Sequence, residues 1–121
     1  MNRAKNFIEF LEDREPRLDS ATKRKVGKEV SAMSSGNKYY DAIPLKDMFD
    51  ILDKYGIVAL QEDNTPWSGM LTGRDGEATL PLAPKDSKND KGFYTPYSNV
   101  GVHFSWYKME SGRYEFIAYV S

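Results

Sequence analysis

The chain has little of what catalytic and secreted proteins commonly use, with no cysteine and a single histidine among its 121 residues. Without cysteine, disulfides, thiolate metal sites and thiol nucleophiles are all excluded. One histidine leaves a tetrahedral zinc site short of its usual ligands. We therefore expect no metal site and no bound cofactor.

Membrane and export signals are also absent from the sequence. No apolar run approaches the ~20 residues that a membrane-spanning helix needs. The opening segment MNRAKNFIEFLEDREPR mixes charged with apolar residues, so it lacks the uninterrupted apolar region of a signal peptide. These absences predict a cytoplasmic protein with no membrane partner.

The composition is that of a globular protein. Hydrophobic residues make up 40% of the chain and the net charge is −1, whereas a disordered chain has fewer apolar residues and a larger charge. A chain of this length buries roughly two-thirds of its unfolded surface. We therefore expect residues 1–121 to form a single globular domain that folds without a metal or a disulfide.

Apolar spacing predicts three helices in the first half of the chain. Residues 2–14 and 20–34 each carry an apolar stripe at helical spacing, and Ser20 is the expected N-cap of the second helix. The third helix lies within residues 41–56 and stops at Gly56. Its stripe, which we expect in the core, consists of Leu45, Met48, Phe49, Leu52 and Tyr55.

The second half of the chain predicts short strands. IVALQ at 57–61 is typical of a buried strand, and MLTGRDGEATLPL at 70–82 of a short hairpin with its tip at 73–76. Residues 83–99 are polar and predict a long loop. Together with a C-terminal β-hairpin, these segments predict an α+β fold, in which three N-terminal helices precede a mainly antiparallel sheet of about four to five short strands.

The alternation of side chains sets the register of the closing hairpin. A two-residue turn at 111–112 would mix polar and apolar side chains on both faces. A three-residue turn at 110–112 pairs Trp106 with Phe116 and places Gly112 in a left-handed position, so we choose it. The face opposite the apolar one then carries His103, Ser105, Tyr107, Glu115, Ile117 and Tyr119.

His103 is the only histidine and the candidate general base. A histidine, a serine and a glutamate on one flat sheet face do not form a catalytic triad, and no G-x-S-x-G surrounds Ser105. The sequence has no glycine-rich phosphate motif, and DSKNDKG at 86–92 lacks the acidic ligands of a calcium loop. We expect no catalytic residue; an enzyme or small-ligand binder that uses His103 with Glu115 and Tyr119 is the third hypothesis.

The most uneven charge lies within residues 14–28. Its cations are Arg14, Arg17, Lys23, Arg24, Lys25 and Lys28. Such a cluster is typical either of a solvated helix face or of salt-sensitive binding to nucleic-acid phosphates. A winged-helix fold is disfavoured, because the third helix would be its recognition helix and carries Asp47, Asp50 and Asp53. Nucleic-acid binding through the basic segment is the second hypothesis.

Aromatic side chains in loops and on the polar hairpin face form the candidate contact surface. They are Trp67, Phe93, Tyr94, Tyr97, Tyr107 and Tyr119. Exposed aromatic rings are typical binding anchors, because they offer a large contact area with few rotatable bonds. The alternative is that the loop rings fold back over the sheet. The leading hypothesis is a small non-enzymatic module that binds a larger protein partner, as accessory and inhibitor proteins do, including viral ones.

Overall fold

The computed structural model describes residues 16–34, 39–67 and 74–121. Within these ranges the chain is an α+β protein, with two α-helices and a four-stranded antiparallel sheet in the order β1-β2-β3-β4. The elements are α1 (Ser20–Ser31), α2 (Leu45–Lys54), β1 (Ile57–Ala59), β2 (Asp75–Pro84), β3 (Gly101–Lys108) and β4 (Tyr114–Val120). Two of the three expected helices are therefore observed, and the helix expected over 2–14 lies outside the described residues.

Helix α1 begins at Ser20, but its N-cap is the preceding residue. The Asp19 carboxylate accepts a hydrogen bond from the Thr22 amide at 3.0 Å, so the expectation that Ser20 caps the helix is wrong. A carboxylate is favoured there because it also faces the positive end of the helix dipole. The hydrogen bonds from Thr22 lower the pKa of Asp19. Val26 and Val30 are buried where the helix packs against β4.

Helix α2 forms where its apolar stripe predicts. Met48 and Leu52 are buried, and the other three members of the stripe pack at the margin of the core. Gly56 follows the helix with a φ of 69°, a left-handed conformation that favours glycine. The stripe therefore holds α2 against the sheet, as expected.

Strand β2 runs through the segment where a hairpin was expected. Residues 75–81 pair with β3, and residues 82–84 pair with β1. The strand thus changes neighbours along its length, which joins all four strands into one sheet. Gly76 lies within β2, opposite Trp106, so the prediction that it belongs to a turn is wrong.

The Trp106 ring explains the glycine within β2. A Cβ atom at position 76 would lie 2.5 Å from the ring atom Cζ2, closer than any side chain can approach. An aromatic ring over a cross-strand glycine shields the backbone that the glycine leaves bare. Gly76 is therefore a packing feature of the strand.

The closing hairpin has the register that the alternation of its side chains predicts. Trp106 pairs with Phe116 and Val102 pairs with Val120. Gly112, in the three-residue loop, has a φ of 88°. Because Trp106 and Phe116 are buried, one face of the hairpin joins the core and the other points away from it.

The core lies between the helices and the inner face of the sheet. Its largest fully buried side chains are Phe116, Met48, Leu52, Ile57, Leu60, Leu82, Val26, Val30 and Val102. Both described helices and all four described strands contribute to this set. The inner face of the sheet is therefore closed by packing, and the opposite face is the one open to contact.

The loop expected over 83–99 is shorter, because residues 83 and 84 belong to β2 and Lys85–Ser87 form a 3-10 helix. Two asparagine side chains hold the rest of this segment. The Asn64 amide accepts a hydrogen bond from the Tyr94 amide at 2.6 Å and donates one to the Tyr94 carbonyl at 2.9 Å. Asn99 makes the same pair of contacts with the backbone of Leu18, at 3.0 and 2.9 Å. Each side chain takes the place of a neighbouring strand, because an amide offers both a donor and an acceptor.

Candidate functional site

The outer face of the sheet combines large apolar side chains with titratable groups. We define it as the side chains of β2, β3 and β4 that point away from the helices. It consists of three rows across the strands, which are Asp75, Tyr107 and Glu115; Glu77, Ser105 and Ile117; and Thr79, His103 and Tyr119. These side chains point outward because successive residues of a strand alternate between faces, and their neighbours in sequence are directed into the core.

Three side chains of the outer face are exposed although most of their area is apolar. Tyr107 is 56% exposed, Ile117 45% and Tyr119 51%. The other large hydrophobic side chains exposed in the described ranges are Tyr39 and Phe93. A concentration of such side chains on one face is typical of a contact surface.

One end of the outer face, which we call the acidic end, is hollow and negatively charged. Asp75, Glu77 and Glu115 surround a concavity of about 420 Å³, and Tyr107 and Ile117 also line it. None of the three carboxylates forms an ion pair with another residue in the described parts of the chain. The acidic end therefore combines three carboxylates that have no ion pair to a described residue with a phenol ring and an aliphatic side chain.

The opposite end of the outer face is organised around His103. The hydroxyl of Thr79 lies 3.0 Å from Nδ1 of the imidazole, and the hydroxyl of Ser121 contacts Nε2. The Tyr119 ring stacks on the imidazole with the ring centroids 4.8 Å apart. Both ring nitrogens thus have partners within the chain, an arrangement typical of a structural histidine.

The structure brings His103 and Tyr119 together but separates Glu115 from them, so the three groups of the enzyme hypothesis do not form one site. His103 pairs with Tyr119, whereas Glu115 pairs with Tyr107 at the far end of the same two strands. The four-residue distance along β4 separates Glu115 from Tyr119 by ~13 Å. Ser105 is not among the hydrogen-bond partners of His103. A nucleophile, a base and an orienting group therefore do not converge here.

Two of the candidate aromatic residues pack on the core. The Trp67 ring meets Phe49 edge-on with centroids 5.4 Å apart and lies 5.0 Å from the Phe104 ring. Tyr97 also packs against the core, and burial raises the pKa of its hydroxyl. Both residues follow the alternative in which loop rings fold back over the sheet.

The remaining loop pair, Phe93 and Tyr94, lies apart from the hairpin pair. Phe93 is 52% exposed, and Tyr94 is half-buried where Asn64 holds its backbone. No ring contact within the described residues joins this loop pair to Tyr107 or Tyr119. The six candidate aromatics therefore divide into two core side chains, a loop pair and a hairpin pair.

The basic segment lies on α1 and the chain just before it. Exposed cations that have no ion pair with another described residue are Arg17, Arg24, Lys25 and Lys28. Lys23 instead donates a hydrogen bond to the Asn99 carbonyl at 2.8 Å, and Arg14 lies outside the described residues. Because α1 covers the inner face of the sheet, these cations and the acidic end lie on opposite sides of the sheet.

The structure also bears on the metal, calcium-loop and membrane features that the sequence raised. Within the described ranges, no three histidine or carboxylate side chains are grouped so that they could hold a metal ion. The Asn89 side chain, in the DSKNDKG segment, accepts hydrogen bonds from the amides of Lys91 at 2.9 Å and Phe93 at 3.0 Å. That side chain therefore closes a turn. No helix in the part of the chain that the structure describes is long and apolar enough to cross a membrane.

The acidic residues of β2 were not predicted as site residues. The expected turn at 73–76 placed Asp75 at a hairpin tip, where a charged residue needs no further explanation. The signal that could have found them is the alternation of Asp75, Glu77 and Thr79 with smaller or apolar residues, which is typical of a strand with one exposed face.

Comparison with known proteins adds no assignment. No family model matches the sequence, and neither a curated protein nor a solved structure matches it.

Proposed function

We propose that the protein is a non-enzymatic interaction module that binds a larger protein partner through the outer face of its sheet. The observation that carries the proposal is the joint exposure of Tyr107, Ile117 and Tyr119 on one side of a sheet whose other side is core. Removing apolar area from water contributes about 25 cal/mol of favourable free energy per Å². In the isolated protein these three side chains remain in contact with water and do not gain it. A partner that covers them would recover this free energy.

The rigidity of the outer face also favours binding. β3 and β4 pair along their whole length, so the exposed rings stand on a fixed scaffold. Tyrosine has few rotatable bonds to immobilise, and each rotamer-rich side chain ordered in an interface costs about 0.5–1.5 kcal/mol. Little of the binding free energy would therefore be lost to ordering the protein.

The double variant Tyr107→Ala/Tyr119→Ala tests this proposal. We expect capture of the partner from extracts of the native host to fall at least about tenfold, because binding hot spots each contribute ~2 kcal/mol or more. The matched control is Tyr39→Ala, which removes an aromatic side chain that is 41% exposed and lies outside the outer face. Equal capture by the wild type, the double variant and the control, with the fold intact in all three, would contradict the proposal.

The loop pair provides a separate arm of the same experiment. Phe93→Ala removes the exposed ring of the loop and leaves the outer face unchanged. We expect this variant to retain capture. Loss of capture in Phe93→Ala alone would place the binding surface on the loop instead of the hairpin.

Nucleic-acid binding through α1 is the second candidate function. It is favoured by the exposure of Arg17, Arg24, Lys25 and Lys28 without ion pairs to other described residues. A few phosphate contacts give modest affinity that falls steeply with salt. A gel shift at about 50 mM salt that is lost in Arg24→Gln/Lys28→Gln would support this function, and no shift at that low salt would remove it.

A further inference from the structure

The acidic end of the outer face has the composition of a binding site for a cationic side chain. Its first row sets Tyr107 on β3 between Asp75 on β2 and Glu115 on β4. Side chains directly opposite each other in an antiparallel sheet have Cβ atoms about 4.5–5.5 Å apart. The phenol ring therefore has a carboxylate on each side, at the wall of the 420 Å³ concavity.

The cations nearest in sequence do not neutralise this row. Arg113 pairs with Asp41, with Nε 3.4 Å from Oδ1. Lys108 holds its Nζ 5.7 Å from the centroid of the Tyr114 ring. Arg74 forms no ion pair with another residue in the described ranges. Within the described residues, neither carboxylate of the row therefore has a cationic partner.

Protection of a sheet edge explains only part of this charge. Acidic side chains on an open strand edge discourage pairing with other chains. Residues 75–80 of β2 pair with β3 on one side and with no described strand on the other, which accounts for Asp75 and Glu77. Glu115 lies on β4, whose edge is already occupied. Tyr40 pairs with β4 through backbone hydrogen bonds of 2.7 and 3.0 Å, and the Ser34 hydroxyl bonds to the β4 backbone at 3.0 Å. Edge protection therefore does not account for Glu115.

We infer that the partner docks with a basic segment, and that an arginine of this segment lies on the Tyr107 ring between Asp75 and Glu115. The inference rests on the proposed function and specifies the chemistry of the partner. A planar guanidinium stacks on an aromatic ring and forms paired hydrogen bonds with carboxylates, which makes it a better fit than an ammonium group. The same carboxylates repel phosphate, so nucleic acid does not fit this face.

A blocked tripeptide, acetyl-Gly-Arg-Gly-amide, tests this chemistry without the natural partner. In an NMR titration of the ¹⁵N-labelled protein, we expect shifts in the amide signals of residues 75–77, 105–107 and 115–117. The matched peptide contains citrulline, which has the shape of arginine without its charge, and should bind about tenfold more weakly. Equal shifts with the two peptides would overturn the inference.

Substitutions in the row provide the second measurement. Asp75→Asn/Glu115→Gln should weaken binding of the arginine peptide by about fivefold or more, because it removes both charges and keeps the side-chain volumes. Tyr107→Phe keeps the ring and should bind nearly as the wild type, whereas Tyr107→Ala should not. Glu62→Gln is the matched control, because it neutralises an exposed carboxylate outside the sheet. An unchanged affinity in Asp75→Asn/Glu115→Gln would overturn the inference.

The two proposals fail in different ways. If Tyr107→Ala/Tyr119→Ala loses the partner while Asp75→Asn/Glu115→Gln retains it, the outer face binds a partner that is not basic at this row. That result overturns the inference and leaves the proposed function standing. If neither double variant affects capture, the outer face is not the binding surface, and the inference falls with the proposed function.

Discussion

At the scale of single residues, several positions are determined by one specific contact. Trp106 is only 7% exposed, and its ring fills the space above Gly76 that a side chain would otherwise occupy. Asn64 and Asn99 hold segments that are 30 and 81 residues away in sequence. Such contacts join distant parts of the chain, so substitutions at these positions have effects that their local surroundings do not predict.

Gly76→Ala should lower the free energy of unfolding by about 1–3 kcal/mol. The new Cβ would lie 2.5 and 2.8 Å from ring atoms of Trp106, so the ring or the strand must move to relieve the overlap. Chemical denaturation measures this change, and the thermal midpoint should fall by roughly 4 °C for each kcal/mol.

Gly27→Ala is the matched control for this substitution. Its Cβ would lie 3.8 Å from Cβ of Val120, an ordinary contact distance. Because Gly27 lies within α1, alanine should stabilise the protein by about 0.5–1 kcal/mol through helix propensity. Equal destabilisation by both alanines would contradict the explanation given for Gly76.

Glu29 makes the stability of the protein depend on pH. Its carboxylate accepts hydrogen bonds from Lys54 and from the Tyr55 hydroxyl, and these bonds lower the pKa of Glu29 below its ordinary value of 4.5. A lowered pKa in the folded state stabilises the protein above pH 4.5, and this stabilisation is lost as the pH falls through the folded value. Glu29→Gln should therefore lower stability at pH 7 and flatten its dependence on pH below about 5, as measured by denaturation at several pH values. A pH profile that keeps the wild-type slope in this variant would contradict the role assigned to Glu29.

At the scale of elements, the sequence predicts best where the structure depends on local alternation. The register of the closing hairpin follows from the separation of its faces and from Gly112, and the apolar stripe of α2 follows from helical spacing. Both signals lie within one element. The local pattern therefore predicts which side chains of β3 and β4 lie on the inner face and which on the outer face, including Tyr107 and Tyr119.

Strand β2 and the long loop were harder to predict because their order comes from distant residues. The local sequence around Gly76 is typical of a turn, and only the contact with the distant Trp106 ring explains why this glycine lies within a strand. The polar segment 83–99 carries no local signal of order. Its order comes from the contact of Asn64 with the Tyr94 backbone and from the contact of Asn99 with the Leu18 backbone. No pattern within these two segments predicts such contacts. The acidic end was missed for the same reason, since two of its three carboxylates belong to β2.

Removing the side-chain contact of Asn99 tests how the loop is held. Asn99→Ala removes both hydrogen bonds to the Leu18 backbone, and should lower stability by about 1–3 kcal/mol because it leaves a partly buried amide and carbonyl without partners. Hydrogen exchange at the Leu18 amide should accelerate, whereas exchange at the Tyr94 amide should change little because Asn64 holds it. Unchanged exchange at Leu18 would contradict this account of the loop.

At the scale of the whole molecule, the cations of α1 and the carboxylates of the outer face lie on opposite sides of the sheet. α1 exposes Arg24, Lys25 and Lys28, and the outer face carries Asp75, Glu77 and Glu115, while α2 on the helical side adds Asp47, Asp50 and Asp53. A net charge of −1 conceals this division. Long-range electrostatic attraction should therefore orient a basic partner toward the outer face before contact, and its association should slow as salt is added.

Hydroxyl-radical footprinting of the protein with its captured partner tests the central claim most directly, because it measures the exposure of individual aromatic side chains. The outer-face account predicts that oxidation of Tyr107 and Tyr119 slows in the complex, while oxidation of Tyr39 stays unchanged. Unaltered oxidation of Tyr107 and Tyr119 in a complex that protects Phe93 or α1 would contradict it.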